Sequence, residues 1–173
     1  MSGSAYGTTP SALELLVTTV AEVREAYRAS GTLSAVLMLM RRRQRRGLLE
    51  LLNNARLELH NNPHLVAEVI ARGAAGAEAA AWSAQADEAT KLALRGEAFV
   101  AARRTQIAQR LEALRALLES AARGSIEPQE VLDEVSGLLD LFLPPGEREV
   151  ADLIAQAATA AAGVQAVATE AVA

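Results

Sequence analysis

The chain contains no cysteine. Disulfides, thiolate metal sites, cysteine nucleophiles and thiolate-ligated haem are therefore excluded, and the redox compartment is left open. Aromatic residues make up 3% of the chain, namely Tyr6, Tyr27, Trp82, Phe99 and Phe142, which is sparse for a pocket that stacks on a planar ligand. Long apolar runs are missing too. The longest, Ala35 to Met40, has six residues, whereas a membrane span needs about 20, so no membrane partner is expected. No positively charged segment leads into an apolar one at the N-terminus, so no secretory signal is visible and a soluble, cytoplasmic protein is the expectation. Lysine is almost absent, with Lys91 alone beside 16 arginines. Valine and isoleucine nowhere alternate with polar residues over the length of a strand, which argues against β-structure.

What remains is rich in helix formers. Alanine fills 38 of 173 positions, and Leu, Arg, Gln and Glu supply most of the rest. A chain of this length suits one domain and can bury a core without a disulfide or metal. The net charge of −4 and the pI of about 5.3 argue against a general nucleic-acid partner.

Residues 1–8 read as an irregular leader and 9–173 as a single helical-bundle domain. Thr9 and Pro10 have the form of an N-cap followed by proline in the first turn, and predict a helix to about Ala29 that buries Leu13, Leu16, Val20, Val23 and Tyr27. Gly31 stops it. A second helical region is expected from Leu33 to about His60, bounded by Asn61, Asn62 and Pro63. From Pro63 to Arg123 there is no proline, and one helix of that length would be roughly 90 Å long, far beyond a compact domain of radius about 16 Å. Glycines mark the expected breaks, because Arg-Gly recurs at Gly47, Gly73, Gly96 and Gly124, and glycine past a cationic last turn commonly ends a helix. Against a break at Gly96, the apolar stripe Trp82, Ala86, Ala89, Ala93, Gly96, Val100 stays in register across it. Pro128 opens a helix that buries Val131, Val135, Leu138 and Leu139. The last helix, from Glu147 to Val172, carries almost no charge after Asp152, and its small residues predict a buried, central position. The expected fold is all-α: a compact bundle of five to seven helices around a buried, Ala-rich C-terminal helix.

Lys91 is the sharpest chemical candidate. A desolvated lysine loses its proton and forms Schiff bases with carbonyls, which arginine cannot do. Tyr6, Tyr27 and Asn53 or Asn54 would then move protons and polarise the carbonyl, as in retro-aldolase-type cleavage. The structural alternative is an exposed helix pair with Asp87, four residues before it. His60 and His64 flank the turn at Pro63; they could ligate a metal or haem, but stand on different helices, and His60 suits the cationic end of its own helix. Arg41 to Arg46 resembles a phosphate-binding tract without interleaved aromatics, and reads as a solvated helix end. Trp82 and Phe99 are the candidates for ligand contact, with a core role as the alternative. No cofactor and no metal site is expected, for there is no phosphate-binding glycine loop, nucleophile elbow or His-Glu-x-x-His helix.

Taken whole, the chain looks like a computationally designed helical bundle. The Met1-Ser2-Gly3 leader and the tidy turns at Thr9-Pro10, Asn62-Pro63 and Pro144-Pro145-Gly146 carry the resemblance. Abundant arginine and glycines inside helical stretches depart from that style, and a natural protein of a GC-rich genome would share the Ala and Arg excess. The resemblance implies a monomeric scaffold with a small-molecule-binding cavity and no natural function. The alternatives are a designed enzyme using Lys91 and a natural helical interaction module using Ala35–Met40.

Overall fold

The structure, a computed structural model, describes residues 9–143 and 146–172. The described residues are all-helical, with nine helices and no strand. Tyr6 and the rest of the expected leader lie outside them.

Helix α1 runs from Ala12 to Ser30. Its N-cap is Ser11 rather than Thr9: the Ser11 hydroxyl accepts from the Glu14 N–H at 3.1 Å, satisfying one of the amides that a helix start leaves without a partner. Gly31 ends α1 as expected, in the left-handed conformation at φ 69°, and its N–H donates to the Tyr27 carbonyl. The region expected as one helix from Leu33 to His60 is two, α2 (Ser34–Met40) and α3 (Arg42–Asn61). The break falls at Arg41, whose backbone is extended, while α3 runs uninterrupted through Gly47.

The proline-free stretch breaks into α4 (Leu65–Ala71), α5 (Ala77–Gln85), α6 (Glu88–Ala93) and α7 (Glu97–Ala121). Gly73, at φ 68°, ends the α4 region, and Gly96 is the extended N-cap of α7. A further break at Ala86 and Asp87 interrupts the apolar stripe. Asp87 makes that break stable by accepting from the Thr90 N–H at 2.8 Å, as an N-cap does. Helix α8 spans Pro128–Asp140, opened by a capping box between Glu127 and Glu130, and α9 spans Glu147–Val172. The breaks at Arg41 and Ala86 raise the helix number above the expected five to seven.

Four helices close a ring in which α1 packs on α3, α3 on α7, α7 on α8, and α8 back on α1. Inside it lie Leu13, Leu16, Val17, Val20, Leu52, Ile107, Leu111, Leu114, Leu118, Val131, Val135 and Leu138, all at 0% exposure. The spacing 107, 111, 114, 118 on α7 and 131, 135, 138 on α8 is the single-face repeat of a helix buried on one side. Each such leucine contributes about 2–3 kcal/mol relative to leaving it exposed. Helix α2 covers α1, α3 and α8, while α4 packs on α1, α3 and α7 and carries α5.

The last helix departs from expectation. It packs on α6 and α7, and its described side chains are exposed except for the half-buried Val150 and Leu153. The described part of α9 is thus peripheral, not the axis of the bundle. Absence of charge suggested burial, but an alanine removes only one methyl from water, and the leucine faces of α1, α3, α7 and α8 have far more apolar area to gain. No helix is long and apolar enough to cross a membrane, among the described residues.

Candidate functional site

Helices α3 and α7 pack with their buried leucines inward, leaving one outward face of each beside the other. Positions 53, 56, 57 and 60 form that face on α3, and 97, 101, 104 and 108 on α7, both at helical spacing. Between them runs an open groove of about 550 Å³, lined by Asn53, Arg56, Leu57, His60, Arg104 and Ala108 together with Leu59. Arg104 also borders a neighbouring concavity of about 360 Å³ that includes Pro63, His64 and Glu97. One guanidinium therefore stands at the junction of two openings.

The two groove arginines are held differently. Arg56 Nη2 lies 3.0 Å from Glu112 Oε2, and Glu112 also accepts from Arg115. The Arg115 hydrogen bond first, and then the charge of Arg56, hold the Glu112 carboxyl below the usual carboxylate range, while the bond to Glu112 drives the Arg115 guanidinium up. Arg104 is half-buried and donates from Nη2 to the His60 carbonyl at 3.3 Å. A cation there suits the negative end of α3, which closes at Asn61. Among the described residues no carboxylate pairs with Arg104 within 4.0 Å, and its one side-chain bond goes to the His60 carbonyl, leaving other donors of its five free for a ligand. Leu57, 63% exposed, gives the groove an apolar wall. The arrangement can hold a carboxylate or phosphate by charge-assisted bonds and an attached apolar group by contact.

The candidates read from the sequence are dispersed. Asn53 lines the α3–α7 groove, and Asn54 is exposed on the same helix. Tyr27 is half-buried near the end of α1. Lys91, in α6, has its ammonium 3.9 Å from Glu88 Oε1, one turn back, with 36% of its side chain exposed. The expected pairing with Asp87 is replaced, because Asp87 caps α6 through Thr90, and the Thr90 bonds hold its carboxyl below the usual range. No hydrogen bond among the described residues links Lys91 with Tyr27, Asn53 or Asn54. Trp82 lines a different concavity, of about 470 Å³, with Asp87, Thr90 and Val150. Phe99 is buried beneath Arg103, whose guanidinium carbon lies 5.3 Å from the ring centre, and borders a fourth opening of about 260 Å³ against Leu153. Arg103 itself bridges to Glu149 at 3.2 Å and so fastens α9 to α7.

Arg56 and Arg104 went unnoticed in the sequence because single arginines carry no signal among 16. The usable sign was periodicity, since Glu97, Ala101, Arg104 and Ala108 share one helix face. Among the described residues no three His, Asp or Glu side chains gather closely enough to hold a metal ion. No family model, curated protein or solved structure matches the chain.

Proposed function

We propose that the protein is a helical-bundle scaffold, of the designed kind its sequence resembles, that binds a small anionic, partly apolar molecule in the groove between α3 and α7. The observation that carries this reading is Arg104: a half-buried guanidinium with no carboxylate partner among the described residues, facing a groove walled by Leu57 and Ala108. An anion there completes the hydrogen bonding of Arg104 while its apolar part covers the Leu57 wall.

1-Naphthoate is a suitable probe, with 1-naphthamide as its uncharged counterpart. At about 0.3 kcal/mol per heavy atom, naphthoate binds with a Kd of roughly 1 mM, which amide chemical shifts in an NMR titration resolve. Shifts are expected at residues 53–60 and 101–108, reduced at least tenfold for the naphthamide, for Arg104→Gln and for Leu57→Asp. Shifts spread evenly over the surface, or equal affinity for both probes, would overturn the reading. The alternative, a retro-aldolase-type lyase through Lys91, has its own test in borohydride trapping with a carbonyl substrate. No adduct at Lys91, or full activity in Lys91→Ala, ends it.

A further inference from the structure

The corner between α2 and α3 concentrates two properties that proteins normally keep apart. Arg41, Arg42, Arg43, Arg45 and Arg46 place five cations within six residues of an otherwise acidic chain. Arg45 donates to the Met40 carbonyl at 2.9 Å and so closes the end of α2. Arg41, Arg42, Arg43 and Arg46 are exposed, and among the described residues none of them pairs with a carboxylate or another acceptor. Immediately before them, on α2, Leu37 and Met38 are 51% and 48% exposed. A pair of large apolar side chains thus stands in water within a few residues of unneutralised arginines.

The position of these arginines is unfavourable for the isolated chain. They occupy the start of α3, where the helix dipole is positive and anions are the stabilising neighbours. The first turn of α3 contains no acidic residue, and its N-cap, Arg41, makes no side-chain bond to the free amides. Helices α1, α6 and α8 have side-chain caps at Ser11, Asp87 and the Glu127–Glu130 box, whereas α3, like α2, has neither a cap nor a first-turn carboxylate. Free amides, a positive dipole and four unpaired guanidinium groups all call for an external anion. Leu37 and Met38 indicate its kind. A phosphodiester backbone has no use for two protruding aliphatic side chains, and no aromatic residue stands here to stack on bases. A bilayer surface rich in anionic headgroups meets both demands, because phosphates accept from the arginines and the free amides while the apolar pair enters the acyl boundary.

We propose that the α2–α3 corner docks on anionic phospholipid surfaces through Arg41, Arg42, Arg43 and Arg46, with Leu37 and Met38 inserted. This is a peripheral contact and involves no membrane span. It is separate from the α3–α7 groove and stands whether or not that groove binds a ligand.

Vesicle co-sedimentation tests it, with phosphatidylcholine vesicles containing 30% phosphatidylserine against phosphatidylcholine alone. Binding is expected only to the anionic vesicles, falling as salt rises. Each arginine near such a surface changes partitioning about fivefold, so R42Q/R43Q is expected to weaken binding about 25-fold and Leu37→Ser with Met38→Ser about tenfold or more. All four positions are exposed, and circular dichroism checks that the variants remain helical. No binding to anionic vesicles overturns the proposal. Undiminished binding by the Ser variant also overturns it, since the contact is then electrostatic attraction without insertion. Tighter binding to single-stranded or duplex nucleic acid than to the vesicles, unaffected by the Ser variant, overturns it in favour of a phosphodiester partner.

Discussion

Glu58, near the end of α3, reaches across to the start of α1, where its Oε1 accepts from the Ala12 N–H at 3.0 Å and its Oε2 from the Leu13 N–H at 3.3 Å. A carboxylate 46 residues away in sequence completes what Ser11 begins. The charge of Glu58 also opposes the positive end of the α1 dipole, so one side chain fixes both the start of α1 and its register against α3. Glu58→Ala is expected to lose about 1–2 kcal/mol of unfolding free energy, as a lost helix cap does. Glu58→Gln, which keeps one acceptor, is expected to lose less. Urea denaturation followed by circular dichroism measures both.

Arg24 is the charged residue buried in the core face of α1. Its side chain is 7% exposed, Nη1 lies 3.7 Å from an Asp140 that is itself largely in solvent, Nη2 donates to the Ala75 carbonyl at 3.4 Å, and Nε has no partner. Burial, and then the nearby Arg28, push its guanidinium below the ordinary value. A half-satisfied buried cation is weak as a source of stability. Arg24→Met, which keeps the aliphatic stem, is expected to leave stability unchanged or raise it by about 1–2 kcal/mol. Arg24→Ala is expected to lower it by about 2 kcal/mol through lost packing. Equal losses in the two variants would show instead that the charge matters.

Two glycines predict opposite signs for one substitution. A Cβ on Gly73 would stand 2.5 Å from the Ala80 Cα, and its φ of 68° is one that alanine rarely adopts. Gly73→Ala is expected to cost about 2–4 kcal/mol, since both backbone strain and overlap oppose it. Gly47 lies within α3 with nothing within 4 Å of such a Cβ. Gly47→Ala is expected to add about 0.5–1 kcal/mol. Thermal melts of the two variants give the comparison.

Some of this was legible in the chain and some was not, for identifiable reasons. Gly31, Pro128 and the helix that buries Val131, Val135, Leu138 and Leu139 follow from local chemistry, because a left-handed glycine or a first-turn proline acts wherever the rest of the chain goes. The break at Arg41 carries no local sign, since arginine is a good helix former and only the packing of α2 over α1, α3 and α8 bends the chain there. The peripheral α9 reversed expectation because missing charge is compatible with the inside or the outside when the side chains are methyl groups. The α3–α7 groove depends on which helices abut. Asn53 was named for a different chemistry, and no pattern within α3 indicates that Arg104 stands opposite.

Acid should weaken the outer seam between α3 and α7. Arg115, and secondarily Arg56, keep the Glu112 carboxyl below its usual value of 4.5. A carboxylate depressed by folding stabilises the fold above the unfolded value, and that contribution disappears as pH falls through the folded one. The melting temperature is therefore expected to decline below about pH 4.5, and Glu112→Gln is expected to flatten that decline while lowering the neutral-pH plateau. An unchanged acid limb in the variant would assign the decline to other carboxylates. Melts at half-unit pH intervals resolve the two curves.

The closure of α8 on α1 has a consequence for synthesis. Leu13, Leu16 and Val20 come more than one hundred residues before Val131, Val135 and Leu138, which build the wall that completes their enclosure. A nascent chain emerging from the ribosome cannot finish its interior until more than one hundred further residues have left the exit tunnel. Until then the leucine flank of α1 stays open to water and to any chaperone that meets it.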